Sequence, residues 1–263
     1  MRRVLTLYST TIGKKIVMAV TGILLVGFVL GHMIGNLKLY LAPHDGVYAL
    51  DHYAHGLRVF GDPFLGENQF LWIARAVLIL AVGLHVWSAI SLKSATAAAR
   101  PQRYAKSAYQ ESTLASRSML WGGILLVVFI VFHILHFTTG QVTPGMDFVH
   151  GEVQANVTNG LSVAWVAAFY VLAMVALGLH LYHGVWSMLQ TLGVNHPKYN
   201  PWRRKIALAV ALIVALANIS FPVAVLTGAV ETVEPNASAP AHATNVVEHP
   251  VQHPVQHPVQ EVQ

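Results

Sequence analysis

Of the fifteen histidines in the chain, His32, His85, His133, His136, His180 and His183 fall inside long apolar stretches. An imidazole at that depth is costly. It is kept either as a neutral ring hydrogen-bonded between helices or for a functional reason. For one ring the two explanations weigh equally; for a set spread over four stretches the second is favoured. Two facing imidazoles in a helix bundle are suited to hold a haem. Bundle interiors house cofactors between facing helices, and histidine is a standard axial ligand of haem iron. Two ligands per iron fill both axial positions, which leaves no place for oxygen and suits electron transfer. A bare zinc ion needs about four ligands converging on one point, and histidines at two depths supply that poorly. A proton-relay transporter carries carboxylates inside its spans, and these stretches contain none. The chain has no cysteine. Disulfides, thiolate metal sites, iron–sulfur clusters and cysteine nucleophiles are therefore excluded.

The elements that must position these rings follow from composition. Only 10% of the 263 residues are charged, 55% are hydrophobic and the mean hydropathy is +0.54. A soluble domain carries about 25% charge, so the sequence predicts an all-α integral membrane protein. A spanning helix needs about 20 mostly apolar residues. Five stretches qualify: Ile16–Leu37, Phe70–Leu92, Met119–Thr139, Leu161–Leu192 and Ile206–Val230. The first is too long for a signal-peptide core and lacks a small-residue cleavage site, so it reads as a retained span. The fourth is long enough to run past the hydrocarbon at its C-terminal end. Residues 1–230 thus form one five-span membrane domain. Residues 38–69 and 140–160 are expected as outer loops, and 93–116 as an inner loop with some helix. The tail 231–263 repeats His-Pro-Val-Gln from His249 to Gln260. Such a segment cannot bury a core and is expected to be disordered.

Charge gives the direction. Arg2, Arg3, Lys14 and Lys15 precede the first span. Lys93, Arg100, Arg103, Lys106 and Arg117 lie between the second and third, and Lys198, Arg203, Arg204 and Lys205 precede the fifth. All lie on one side, where Glu111 is the lone acid. The opposite side holds Lys38 and Arg58 against the remaining acids, and Arg75 lies inside the second span. The positive-inside rule makes the first side cytoplasmic. The N-terminus is then in the cytoplasm and the C-terminus outside. The net charge of +5 signals orientation and needs no nucleic-acid partner, because the basic residues are scattered.

Depth pairs the histidines. At 1.5 Å per residue His32 and His133 lie about 24 and 21 Å from the cytoplasmic edge, and His85 and His180 about 10 and 10–18 Å. The chain therefore offers an outer pair and an inner pair, stacked across the bilayer. His133 and His136, and likewise His180 and His183, are spaced i, i+3 and share a helix face. Depth leaves both choices open. Gly27, Gly31 and Gly35 form a stripe beside His32. It fits the approach of a flat ring and the approach of another helix equally well.

Four segments then add a resemblance: Gly31-His32-Met33-Ile34-Gly35-Asn36, Gly83-Leu84-His85-Val86-Trp87, Phe132-His133-Ile134-Leu135-His136 and Leu179-His180-Leu181-Tyr182-His183-Gly184-Val185-Trp186. In this order and at these depths they resemble the cytochrome b membrane anchor of succinate dehydrogenases and fumarate reductases, in the single-chain, five-helix, dihaem (b558) class. The resemblance covers roughly residues 12–230. It implies that the first four spans form a haem-binding four-helix bundle. His32 and His133 would ligate an outer haem b, and His85 and His180 an inner one. His180 is preferred to His183 because it stands four residues before Gly184. His136 and His183 become neighbours of a propionate or a quinone. The implied partners are a flavoprotein subunit and an iron–sulfur subunit on the cytoplasmic face, with menaquinone or another quinone as substrate. Succinate oxidation would belong to the flavoprotein, so none is expected of this chain alone. Some members carry a glutamate two residues before the span-four ligand for proton transfer; here that position is Gly178, which puts that path in doubt.

The quinone site is not carried over by any motif. Outer candidates are His44, Asp51, His52, His55, Glu67 and Arg75, with Arg75 foremost because a charge inside a span needs a partner. At the inner edge Lys15, Arg117, Ser118 and Trp121 could meet haem propionates. Trp72, Trp121, Trp165 and Tyr40 are expected as interfacial aromatics. Two alternatives differ in class: a cytochrome b of another respiratory dehydrogenase, of hydrogenase or formate dehydrogenase type, and a non-redox transporter or haem-free anchor.

Overall fold

A computed structural model of the chain describes residues 10–99 and 114–235. Among them there is no strand, and five helices are long and apolar enough to cross a membrane. The chain runs α1 (Thr11–Asn36), a 3-10 turn (Leu37–Tyr40), α2 (Ala49–Val59), α3 (Gln69–Ala98), α4 (Leu114–His133), a π-helical turn (Ile134–Thr138), α5 (Val153–Ser162), α6 (Ala164–Thr191) and α7 (Asn200–Leu226). The long helices are α1, α3, α4, α6 and α7. Arg100, Arg103, Lys106 and Glu111 lie outside the described residues, as do Arg2, Arg3 and the His-Pro-Val-Gln repeat.

Local chemistry sets the helix ends. Thr10 caps α1, its hydroxyl accepting from Gly13 N–H at 3.0 Å. The helix therefore starts five residues earlier than apolarity alone suggests, and Lys14 and Lys15 ride on its first turns. Pro201 opens α7, where its missing N–H costs nothing. The fourth apolar stretch is split. Val163 is extended (φ −77°, ψ 112°), so 161–162 end α5 and the long helix begins at Ala164. At the end of α4 the backbone widens, and Thr139 N–H donates to Ile134 C=O at 2.9 Å across five residues. Such π turns collect at functional sites.

The long helices form two close pairs, α1 on α3 and α4 on α6, joined by contact between α1 and α6. α7 packs most extensively on α6 and also touches α1. By contrast, α1 with α4 and α3 with α6 make at most isolated backbone approaches. The ends differ. One gathers Lys14, Lys15, Lys93, Arg117, Lys198, Arg203, Arg204 and Lys205, and is called the basic end below. The far end is closed by α2, α5 and the 3-10 turn around Leu39, Leu50, Leu161, Val166, Tyr170, Phe221 and Val225. The expected outer loops therefore contain packed helices. Buried Asp51 takes the Gln154 N–H at 2.8 Å, which ties α2 to α5. Tyr40 Oη lies 2.6 Å from Ser220 Oγ and ties the 3-10 turn to α7. Residues 231–235 continue on the bundle, with Val233 buried.

Candidate functional site

Rings from helices that do not pack backbone to backbone meet across the bundle. His32 of α1 faces His133 of α4 with centroids 5.9 Å apart and planes at 82°. His85 of α3 faces His180 of α6 at 6.2 Å and 52°. A metal-bound imidazole nitrogen lies about 2.0–2.1 Å from its metal and about 1.2 Å from its ring centroid, so two axial imidazoles stand about 6.4 Å apart. Both pairs come within about half an ångström of that spacing. Ring planes may take any mutual angle about such an axis, so neither angle conflicts with it. Among the described residues no three of His, Cys, Asp and Glu converge as a metal site, which disfavours a bare metal ion.

Each pair has one ring whose second nitrogen is held. Thr21, buried in α1, gives its hydroxyl proton to the Val17 carbonyl at 2.8 Å, with Met18 C=O at 3.2 Å. Toward His85 Nδ1, 3.1 Å away, the Thr21 oxygen is then an acceptor. That places the proton of His85 on Nδ1 and leaves the Nε2 lone pair free for a metal. In the other pair Tyr170 of α6 stands at the corresponding place, its Oη 3.3 Å from His133 Nδ1. His32 has no such bond and stacks on Phe28 at 5.4 Å.

The two neighbouring histidines separate. His136 is fully buried, with Nδ1 3.1 Å from Tyr170 Oη. A Cβ at Gly160 of α5 would stand 2.8 Å from His136 Nε2, so α5 walls that nitrogen off. Among the described residues the His183 ring stacks on neither His85 nor His180; it lies against Trp186 at 6.2 Å. The glycines divide too. At Gly27, Gly31, Gly83, Gly122, Gly123 and Gly184 an added Cβ would meet nothing within 4 Å, so these positions are not helix-packing contacts. Gly35 is one, because a Cβ there would strike the Tyr53 ring. Gly178 is another: a Cβ would lie 3.0 Å from Ala215 Cβ of α7. A longer side chain at 178 would press on that helix.

Of the outer polar candidates, Arg75 lines a cavity of about 170 Å³ at the far end. Arg58, His150, Asn156, Phe137 and Phe148 share its walls. The Arg75 guanidinium also stacks over Trp72 at 4.9 Å. His44 is exposed, with Nδ1 3.1 Å from the Asp45 carboxylate. His52, His55 and Glu67 are exposed, and Asp51 is spent on α5. Near the basic end a cavity of about 70 Å³ lies between α4 and α6, lined by His180, Ser118 and Gly122. Lys15 and Arg117 are exposed at this end, while Trp121 turns away, 74% exposed. Thr21, Tyr170, Gly160, Arg58 and His150 carry no motif and were missed by sequence reasoning. Thr21 and Tyr170 could have been noticed as hydroxyls inside apolar spans.

Comparison with known protein families finds a match over part of the chain. Residues 96–219 match the succinate dehydrogenase/fumarate reductase transmembrane subunit family. The match supports the family, whose members are membrane subunits of those complexes. It runs from the last turn of α3 into the last third of α7. It thus includes His133, His136, His180 and His183 and stops short of His32 and His85. No curated protein and no solved structure matches the chain.

Proposed function

We propose that this chain is the dihaem cytochrome b subunit of a succinate:quinone oxidoreductase, passing electrons between an iron–sulfur subunit and a quinone. The observation that carries the reading is the pair of imidazole couples, 5.9 and 6.2 Å apart, between helices otherwise held apart. His32 and His133 would hold an outer haem b, and His85 and His180 an inner one. Bound there, the two haems would supply one-electron carriers stacked across the membrane. The chain's own residues fix the ring positions: Thr21 and Tyr170 hold His85 and His133, and the open glycines leave room beside them.

Orientation follows the charge. The basic end would face the cytoplasm and dock the iron–sulfur subunit, with the flavoprotein subunit beyond it and the C-terminus outside. The far cavity with Arg75 and Arg58 would take the quinone head, each guanidinium offering N–H donors to a quinone oxygen. Menaquinone is the quinone the resemblance suggests. Succinate oxidation would belong to the flavoprotein.

The test is a reduced-minus-oxidised spectrum with a haem count on the purified complex. Two bis-histidine haems b per chain are expected, and none would refute the reading. His32→Ala should remove the outer haem and His85→Ala the inner one; a variant that kept both signals would refute the pairing. His180→Ala should also lose the inner haem, and its retention would point to His183. Subunits that co-purify distinguish succinate dehydrogenase from hydrogenase or formate dehydrogenase assemblies.

A further inference from the structure

We infer that Tyr170 and His136 form a positioning pair that decides which nitrogen of His133 is offered to iron. The inference rests on the dihaem reading and extends it to two residues that touch no metal. One phenol faces two imidazoles: Tyr170 Oη is 3.3 Å from His133 Nδ1 and 3.1 Å from His136 Nδ1. A phenol has one proton to give and accepts with its oxygen. Among the described residues the hydroxyl has no other hydrogen-bond partner, so it donates to one ring and accepts from the other.

Two arrangements are possible. In the first, Tyr170 donates to His133 Nδ1, which sends the His133 proton to Nε2 and closes that nitrogen to a metal. In the second, His133 Nδ1–H donates to Tyr170, and Tyr170 donates to His136 Nδ1. Only the second leaves the Nε2 lone pair of His133 available to a metal. It requires His136 as an acceptor and places the His136 proton on Nε2. That atom is buried with no partner, against Gly160 and Phe137. His136 is thereby excluded as an alternative ligand, since one nitrogen is engaged and the other is walled in. The π turn at Ile134–Thr138 begins between the two rings and lets both reach one hydroxyl.

Three variants of the intact complex test this, read by haem content, the midpoint potential of each haem and the low-spin electron paramagnetic resonance signals. The inner haem serves as internal control. Tyr170→Phe removes the acceptor for His133 Nδ1–H, lowers that ligand's basicity and should raise the outer potential with the inner unmoved. His136→Asn leaves space but keeps an acceptor oxygen near the place of Nδ1, and the outer signal should stay close to wild type. His136→Leu fills the volume better but offers no acceptor. It should shift the outer potential as Tyr170→Phe does, or lose outer haem. A mere packing role predicts the reverse order, with Leu benign and Asn damaging, and that result overturns the inference. A wild type with two haems and an unshifted Tyr170→Phe overturns the inference and leaves the dihaem reading standing. A wild type without haem overturns both.

Discussion

Replacing Thr21 by valine keeps the shape of the side chain and removes one oxygen. That oxygen receives the Nδ1–H of His85 at 3.1 Å and is itself buried, so no water can take its place. A neutral hydrogen bond of this kind contributes about 0.5–1.5 kcal/mol net. If it supports the oxidised, more electron-demanding iron, its loss raises the one-electron potential of the inner haem. At about 59 mV per factor of ten, or about 1.4 kcal/mol, the shift comes to roughly 20–65 mV upward. The assay is a redox titration of the purified complex that follows both haems in one sample, with the outer haem unchanged. Thr21→Ser keeps the acceptor and should stay within a few millivolts of wild type. An unmoved or lowered inner potential in a sample holding both haems would refute the role given to Thr21. A shift confined to the outer haem would refute the pairing of His85 with the basic-end site.

Other outcomes follow from the packing. Gly160→Ala places a methyl 2.8 Å from His136 Nε2 and from Phe137. It should cost about 1–3 kcal/mol by overpacking, seen as a lower melting temperature and a loss of outer haem before inner; unchanged melting would contradict the close approach of α5. Arg75→Gln should raise the quinone KM about tenfold or more, as loss of a charge-assisted bond implies, with haem content intact; an unchanged KM would remove Arg75 from the quinone site. Gly178→Leu meets Ala215 and should weaken α6–α7 packing by about 1–3 kcal/mol, read as thermal loss of both haem signals together. A stable variant would mean that α6 and α7 can move apart there.

The sequence carries the five helices legibly, because an apolar run long enough to span a bilayer has few alternatives. Where it erred, local chemistry outweighed hydropathy. Thr10 extends α1 backward through two lysines, and Val163 breaks a continuous apolar run. The loops hid α2 and α5 because these helices are short and partly polar, and their apolar faces find partners only in the folded molecule. Depth brought out His32 with His133 and His85 with His180 as facing pairs. It could not separate His133 from His136, since three residues along a helix change depth by little. Only the π turn and Gly160 reveal that one ring faces α1 and the other α5. Arg58 and Arg75 were equally out of reach: they are 17 positions apart in sequence and share a cavity only because α2 folds back on α3.

Val233 gives the tail a fixed root. Its N–H reaches Thr158 Oγ1 at 3.3 Å, and its carbonyl takes the Asn159 side-chain N–H at 2.8 Å. Both partners stand within one turn of Gly160. The strand of chain leaving α7 therefore acts as a latch on the small helix that roofs His136. A deletion or affinity tag placed after Pro235 leaves that latch shut. One placed before Val233 opens it, and the damage would surface at the distant-looking outer histidines instead of at the end of the chain.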